Sequence, residues 1–166
     1  MKNIILIGMM GSGKTSVGTL LAKRVNFKFV DTDHIIEETQ GLSISKIFEV
    51  DGEAKFRKLE ENVIERISHL NHMVVSTGGG IILNPLNTMK LKEMGDVIYL
   101  RGTVETLLNH LAGDSDHRPL LKDNHLETIL KVRASLYEYA ASRIIDIDHK
   151  TIEEIGDEIL KEIKSN

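Results

Sequence analysis

The chain has no cysteine. Disulfides and thiol chemistry are therefore excluded, and a reducing cytosol is compatible with the composition. A basic excess is missing too: 21 Lys and Arg stand against 25 Asp and Glu, for a formal charge of −4. That balance argues against a nucleic-acid binder, though it leaves room for a local basic pocket holding a small anion. No apolar stretch approaches membrane-spanning length. The apolar run at the start, Ile4-Ile5-Leu6-Ile7, is too short for a signal peptide and ends in a glycine-rich turn. There is no internal repeat and no low-complexity tract. Zinc is disfavoured as well: His69 and His72 lie three apart, Asn71 between them suggests a helix end, and no cysteine or further histidine completes a site.

What remains is a length of 166 residues, suited to one domain over 1–166 with a real hydrophobic core. Short apolar runs at 4–8, 27–31, 73–77, 97–100 and 144–148 predict five buried strands. Helical patterns lie between them. Phe56, Leu59, Val63, Ile67 and Leu70 recur at helical spacing. Thr151-Ile152-Glu153-Glu154 is a capping box that opens a last helix with Ile152, Ile155, Ile159 and Ile163 on one face. Strand and helix in alternation imply parallel strands joined by right-handed crossovers, hence a three-layer α/β domain. Ligands bind such sheets beyond the C-terminal strand ends. Three predicted strand ends carry polar or glycine-rich motifs: Gly8-Met9-Met10-Gly11, Asp31-Thr32-Asp33 and Thr77-Gly78-Gly79-Gly80. One polar stretch, 112–124, contains Gly and Pro and reads as a mobile loop between two helices, of a length that is usually functional.

Gly8-Met9-Met10-Gly11-Ser12-Gly13-Lys14-Thr15 fits G-x-x-x-x-G-K-[ST] at every fixed position. In such a loop the glycines let backbone N–H groups turn toward phosphate oxygens, and the next helix adds its positive end. Lys14 neutralises β- and γ-phosphate charge, and the Thr15 hydroxyl is placed to hold Mg²⁺. A GTPase switch is excluded by the lack of an N-K-x-D segment. A non-catalytic nucleotide-binding module and a small-molecule kinase remain, and only the kinase needs an acceptor pocket and a lid. Asp31 and Asp33 point the same way on an extended chain. One suits the metal and the other an acceptor hydroxyl, or one of them caps the following helix. Arg57 has Glu61 one turn on as a partner, and taken singly both Arg57 and Arg133 read as solvated charges.

Taken in order, Gly11-Ser12-Gly13-Lys14-Thr15, Asp31-Thr32-Asp33, Phe56-Arg57 with Glu60, Ser76-Thr77-Gly78-Gly79-Gly80, Arg118-Pro119-Leu120-Leu121, and Arg133 before Leu136-Tyr137 resemble the shikimate kinases, from about residue 3 to 160. The resemblance implies a P-loop kinase fold like that of nucleoside monophosphate kinases, with sheet order 2-3-1-4-5, an acceptor-binding helical region at about 32–60 and a lid at about 112–124. It implies a cytoplasmic, monomeric enzyme that moves phosphate from ATP to the 3-hydroxyl of shikimate, with Mg²⁺, in aromatic amino-acid biosynthesis. Lys14, Asp33 and Arg118 would be catalytic. Gly11, Ser12, Gly13, Lys14, Thr15, Ser16 and Arg118 would bind ATP. Asp33, Arg57, Gly78, Gly79, Gly80 and Arg133 would bind shikimate, with both arginines on its carboxylate. Thr15 would hold the metal, with Asp31 and Ser76 near it through water. Phe48 and Phe56 would wall the ring and Glu60 would brace the arginines. His117, in the expected lid, reads as solvent-facing. Two departures fall where the family contacts adenine. Leu111, beside His110, stands where many members have arginine, and Asp148-His149-Lys150-Thr151 has no proline. The alternatives are another P-loop kinase of small hydroxylated acids or sugars, such as a gluconate kinase, and a nucleotide-binding relic.

Overall fold

The computed structural model describes residues 1–112 and 125–165. The expected lid, with Arg118 and His117, lies outside the described residues, apart from Ala112. Five strands form one all-parallel sheet in the order β2-β3-β1-β4-β5, as expected. They are β1 (Asn3–Ile7), β2 (Lys28–Asp31), β3 (Met73–Ser76), β4 (Gly95–Arg101) and β5 (Arg143–Asp146).

Helices make the crossovers. α1 (Lys14–Val25) joins β1 to β2. α2 (Thr32–Gln40) and α3 (Ile44–Ile67) lead from β2 to β3. A 3₁₀ turn (Ile81–Leu83) and α4 (Pro85–Met94) lead to β4. α5 (Val104–Ala112) and α6 (His125–Ala140) precede β5, and α7 (Ile152–Lys164) closes the described chain. The caps follow the residue types. Asn84 accepts from the Leu86 N–H ahead of Pro85, and Thr151 and Glu154 form the predicted capping box. Among the described residues no helix is long and apolar enough to cross a membrane.

β1 is the middle strand and every residue in it is buried, including Asn3. The Asn3 amide is satisfied there: it donates to the Leu70 carbonyl at 2.8 Å and accepts from the Met73 N–H at 3.0 Å. It thus ties the start of β1 to the entry of β3. Burial on both faces holds for the inner strands only. The edge strands β2 and β5 each bury a single residue fully, Val30 and Ile145, and Ile144 is exposed. Leu70 also departs from its expected helical face, because α3 stops at Ile67 and Leu70 lies exposed beyond it.

α3 is two helical segments broken at Gly52, whose φ of 82° and ψ of 170° are outside helical space. The break lets the first segment fold back on α2. Ile36, Ile47, Phe56, Leu59 and Val63 then form a small core of their own, separate from the main one around the sheet, with Ile44 and Phe48 at its edge. This lobe supplies one wall of the site.

Candidate active site

The expected strand ends converge on one cleft of about 1140 Å³, which runs from Gly11 and Lys14 past Asp33, Arg57, Gly79 and Arg133 to His110 and Lys150. The P-loop bridges β1 and α1. Gly11 adopts φ of 82° and lies against α5: a Cβ there would sit 2.8 Å from the Leu107 carbonyl oxygen and 2.8 Å from Leu111 Cγ. Only glycine satisfies both demands. Lys14 is nearly buried and its ammonium donates to the carbonyls of Gly8 at 2.8 Å and Met9 at 2.9 Å. These bonds hold its charge within the P-loop. Thr15 and Ser16 stand at the exposed start of α1 and line the same cleft.

Asp31 caps the following helix, as one of the expected roles had it, and also reaches the P-loop. Its Oδ1 caps α2, accepting from the N–H groups of Asp33 at 3.0 Å and His34 at 3.2 Å. Its Oδ2 accepts from the Thr15 hydroxyl at 3.2 Å. Ser76 is the register partner of Asp31 across β2 and β3 and is buried beside it. The Thr15 hydroxyl and the Asp31 carboxylate thus meet at the foot of the P-loop, with Ser76 beside Asp31 on the neighbouring strand. Among the described residues there is no cluster of three or more His, Cys, Asp and Glu. This oxygen set fits a magnesium ion held mostly by waters and substrate phosphates, rather than a closed protein cage.

The other side of the cleft is built on the glycine run after β3. Thr32, fully buried between the two aspartates, accepts from the Gly78 N–H at 3.1 Å and fixes where the run begins. The side chains then close on the glycine faces. A Cβ on Gly78 would meet Asp33 Oδ1 at 2.6 Å and Glu60 Oε2 at 3.0 Å. One on Gly80 would meet Arg57 Nη1 at 2.2 Å, and one on Gly79 would lie 3.5 Å from Arg133 Nη1. The run is therefore a floor without side chains, onto which two arginines and two carboxylates fold. Phe48 and Phe56 form one wall with ring centroids 4.9 Å apart.

Two single-residue expectations are corrected here. Arg57 does not pair with Glu61, which instead accepts from Lys58 at 3.0 Å. Arg57 pairs with Glu60, which lines the cleft, at 2.7 Å and with the exposed Glu53 at 3.1 Å. Arg133 is not a solvated charge: only 6 % of it is exposed. The sequence did not mark Thr32 or Glu53, though Thr32 sits inside a motif. It also left His110 without a role. His110 Nδ1–H donates to the Gly11 carbonyl at 2.7 Å, which sets its tautomer and ties α5 to the P-loop. At the other departure, Asp148 accepts from the Thr103 N–H at 3.1 Å, from the Thr103 hydroxyl at 2.8 Å and from the Thr106 hydroxyl. Those hydroxyls, Thr106 first, hold its pKa below the ordinary carboxylate value. They fasten the β5–α7 loop to the start of α5.

Glu60 is 1 % exposed, and burial pushes its pKa up to about 7. The Arg57 charge opposes that rise and the Asp33 carboxylate adds to it. Burial disfavours the charge of Arg57 most, yet Glu60 and Glu53 together keep its pKa above the ordinary value. The sign of the consequence follows from proton linkage. Between the unfolded value of 4.5 and about 7 the folded chain binds more protons at Glu60 than the unfolded chain, so stability falls as pH rises through that window. Glu60→Gln should flatten that decline, by an amount on the order of a few kcal/mol. Urea midpoints at several pH values compare the slopes, and parallel curves for variant and parent would refute the assignment.

Known proteins match this chain along nearly its whole length. The family model described as "SKI: Shikimate kinase" matches residues 10–164. A shikimate kinase of Sulfurihydrogenibium sp. (strain YO3AOP1) is 46 % identical over 166 residues, covering 99 % of both chains. Two solved structures are 37 % identical. The shikimate kinase from Acinetobacter baumannii in complex with shikimate superposes with a TM-score of 0.95, covering 100 % of this chain and 94 % of that one. The one from Aquifex aeolicus vf5 superposes at 0.86, covering 99 % and 97 %. Likeness at this identity, over the full sheet and both walls of the cleft, is likeness of a family and not of a fold alone: the chain belongs to the shikimate kinase family.

Proposed function

We propose that the protein transfers the γ-phosphoryl group of ATP to the 3-hydroxyl of shikimate, giving shikimate 3-phosphate and ADP, as a magnesium-dependent cytoplasmic enzyme supplying aromatic amino-acid biosynthesis. The observation that carries this reading is the glycine floor. In one cleft it places two arginines and an aspartate beside a phosphate-binding loop. Shikimate is a small carboxylate with three ring hydroxyls. Arginine meets a carboxylate in two parallel hydrogen bonds, which lysine does not. Arg57 and Arg133 suit that end of the molecule, and Asp33 suits a hydroxyl at the other.

The remaining roles follow from position. The P-loop N–H groups and Lys14 cradle the β- and γ-phosphates, and Gly11, Ser12, Gly13, Thr15 and Ser16 surround them. Thr15, with Asp31 and Ser76 through water, would hold Mg²⁺, whose charge offsets that of the phosphates. Asp33 accepts a hydrogen bond from the acceptor hydroxyl and orients its oxygen toward phosphorus. Phosphoryl transfer asks mainly for such positioning and charge neutralisation. Arg118 keeps the role that the resemblance implies, a contact with the phosphates, and lies outside the described residues.

An ATP-consumption assay against shikimate, quinate, gluconate and the nucleoside monophosphates tests the reading. Shikimate should be turned over and the others should not. Preference for gluconate would move the chain's activity to the alternative class. Arg57→Lys should then raise KM for shikimate by about tenfold or more and leave nucleotide binding close to that of the parent. An equal loss of ATP affinity would count against placing Arg57 on the acceptor.

A further inference from the structure

Tyr137 belongs to none of the groups assigned so far, yet it lies at their junction. It is fully buried on α6, one helical turn after Arg133. Its ring stacks on Tyr99 of β4, with centroids 4.9 Å apart and planes 24° from parallel. Its hydroxyl donates to the Gly79 carbonyl and lies 3.6 Å from Met9 Sδ. Met9 is part of the P-loop and Gly79 is the middle of the acceptor floor. The two pieces of backbone face each other there across little more than the width of a methyl group: a Cβ on Gly79 would lie 3.5 Å from the Gly8 carbonyl oxygen and 3.6 Å from the Met10 nitrogen. The phenol therefore sits on the seam between the half of the cleft that takes the phosphate donor and the half that takes the acceptor.

We infer that Tyr137 is a positioning residue for phosphoryl transfer: its hydroxyl locks the Gly79 peptide and so fixes the acceptor floor against the P-loop. The chemistry of the bond supports the role. Among the described residues every peptide is trans. A planar trans peptide points its C=O and the next N–H in opposite directions. Turning the Gly79 carbonyl inward to Tyr137 therefore turns the Gly80 N–H the other way, and Gly80 is where the Arg57 guanidinium packs. Glycine has wide backbone freedom, so three in a row make a poor rest for four charged groups unless something outside the run holds it. On its far sides the run has Thr32, which holds the Gly78 N–H, and Tyr137, which holds the Gly79 carbonyl. Burial keeps the phenol protonated, since it drives the Tyr137 pKa up, and the donor is present at any working pH.

The inference rests on the proposed acceptor site, and its test separates the two. Tyr137→Phe removes one oxygen and keeps the stacked ring. The hydroxyl touches the floor and also Arg133, so KM for ATP should stay within about fivefold, while KM for shikimate should rise by no more than about tenfold. Turnover should fall about tenfold or more, the response expected when donor and acceptor are held slightly out of line. Tyr99→Phe, which strips the hydroxyl from the other ring of the stack, is the control and should keep kcat. Amide hydrogen exchange supplies a readout that needs no substrate: the Gly79–Ile81 amides should exchange faster in Tyr137→Phe than in the parent. Normal kcat with only a lowered melting temperature, or unchanged exchange at those amides, would overturn the inference. If the parent failed to phosphorylate shikimate, the functional reading would fall, and exchange would still decide whether Tyr137 holds the floor.

Discussion

Asp33→Asn will lose about two to four orders of magnitude in turnover while binding ATP as the parent does. The two aspartates after β2 are two residues apart and occupy different neighbourhoods. Asp31 reaches the Thr15 hydroxyl at the foot of the P-loop, at 3.2 Å. Asp33 turns toward the acceptor floor, where its Oδ1 is the closest atom to the open face of Gly78. Asparagine has the same shape and still offers one oxygen, so the fold and the neighbouring Asp31 cap should survive. It carries no charge and cannot take up a proton. The loss therefore falls on orientation and activation of the acceptor hydroxyl. Thr15→Ala supplies the opposite pattern, weaker Mg²⁺-nucleotide binding, because it deletes an oxygen on the metal side. Nucleotide titrations and steady-state kinetics on both variants read the split. Poor MgATP binding by Asp33→Asn would place Asp33 at the metal and end the division of labour proposed between the two carboxylates.

Gly78→Ala should cost turnover on the order of a hundredfold, without the strain of an unfavourable backbone angle, since Gly78 is not among the positive-φ glycines. The added methyl would lie 2.6 Å from Asp33 Oδ1 and 3.0 Å from Glu60 Oε2. Both atoms are ends of side chains, so they can move and the chain should still fold. They cannot stay where the chemistry needs them. Asp33 has only two side-chain torsions with which to yield, and Glu60 is packed on all sides. Displacing Glu60 also frees Arg57 from its 2.7 Å partner. Shikimate KM should rise together with the fall in kcat, and ATP affinity should hold. Circular dichroism and a thermal melt check the fold, and wild-type kinetics in a folded Gly78→Ala would show that the floor tolerates a side chain.

The sheet and the donor half of the cleft were legible because they rest on local patterns. Apolar runs placed all five strands to within a few residues, and alternation with helices made them parallel. The P-loop carries its own spacing, so Lys14 and Thr15 needed no tertiary knowledge. The half proposed to take the acceptor is made from residues far apart in the chain, and single-residue reasoning misjudged it. Arg57 has glutamates at two helical spacings besides Glu61, and only the direction of the cleft decides for Glu53 and Glu60. Arg133 looks solvated on its own helix and is buried because the glycine floor comes up beneath it. The family resemblance supplied what periodicity did not. The edge strands read as buried because a run of apolar residues does not say how many neighbours a strand has. The turn at Gly52 left no prediction, since a lone glycine in a helical pattern is compatible with an unbroken helix.

The position of β1 in the sheet also sets a timetable for synthesis. It is made before the other four strands and, as the middle strand, has two strands on either side. Ile4 pairs with Val74, about seventy residues on, and Ile5 pairs with Val97 later still. Until then the run Ile4–Ile7 has no sheet to enter and waits as an adhesive apolar segment. Pairings this distant delay folding, because the loop between them must close before any contact rewards it. A nascent chain halted before β4 should therefore hold the complete P-loop sequence and still fail to retain nucleotide. It should also be the stage at which the growing protein depends most on a chaperone.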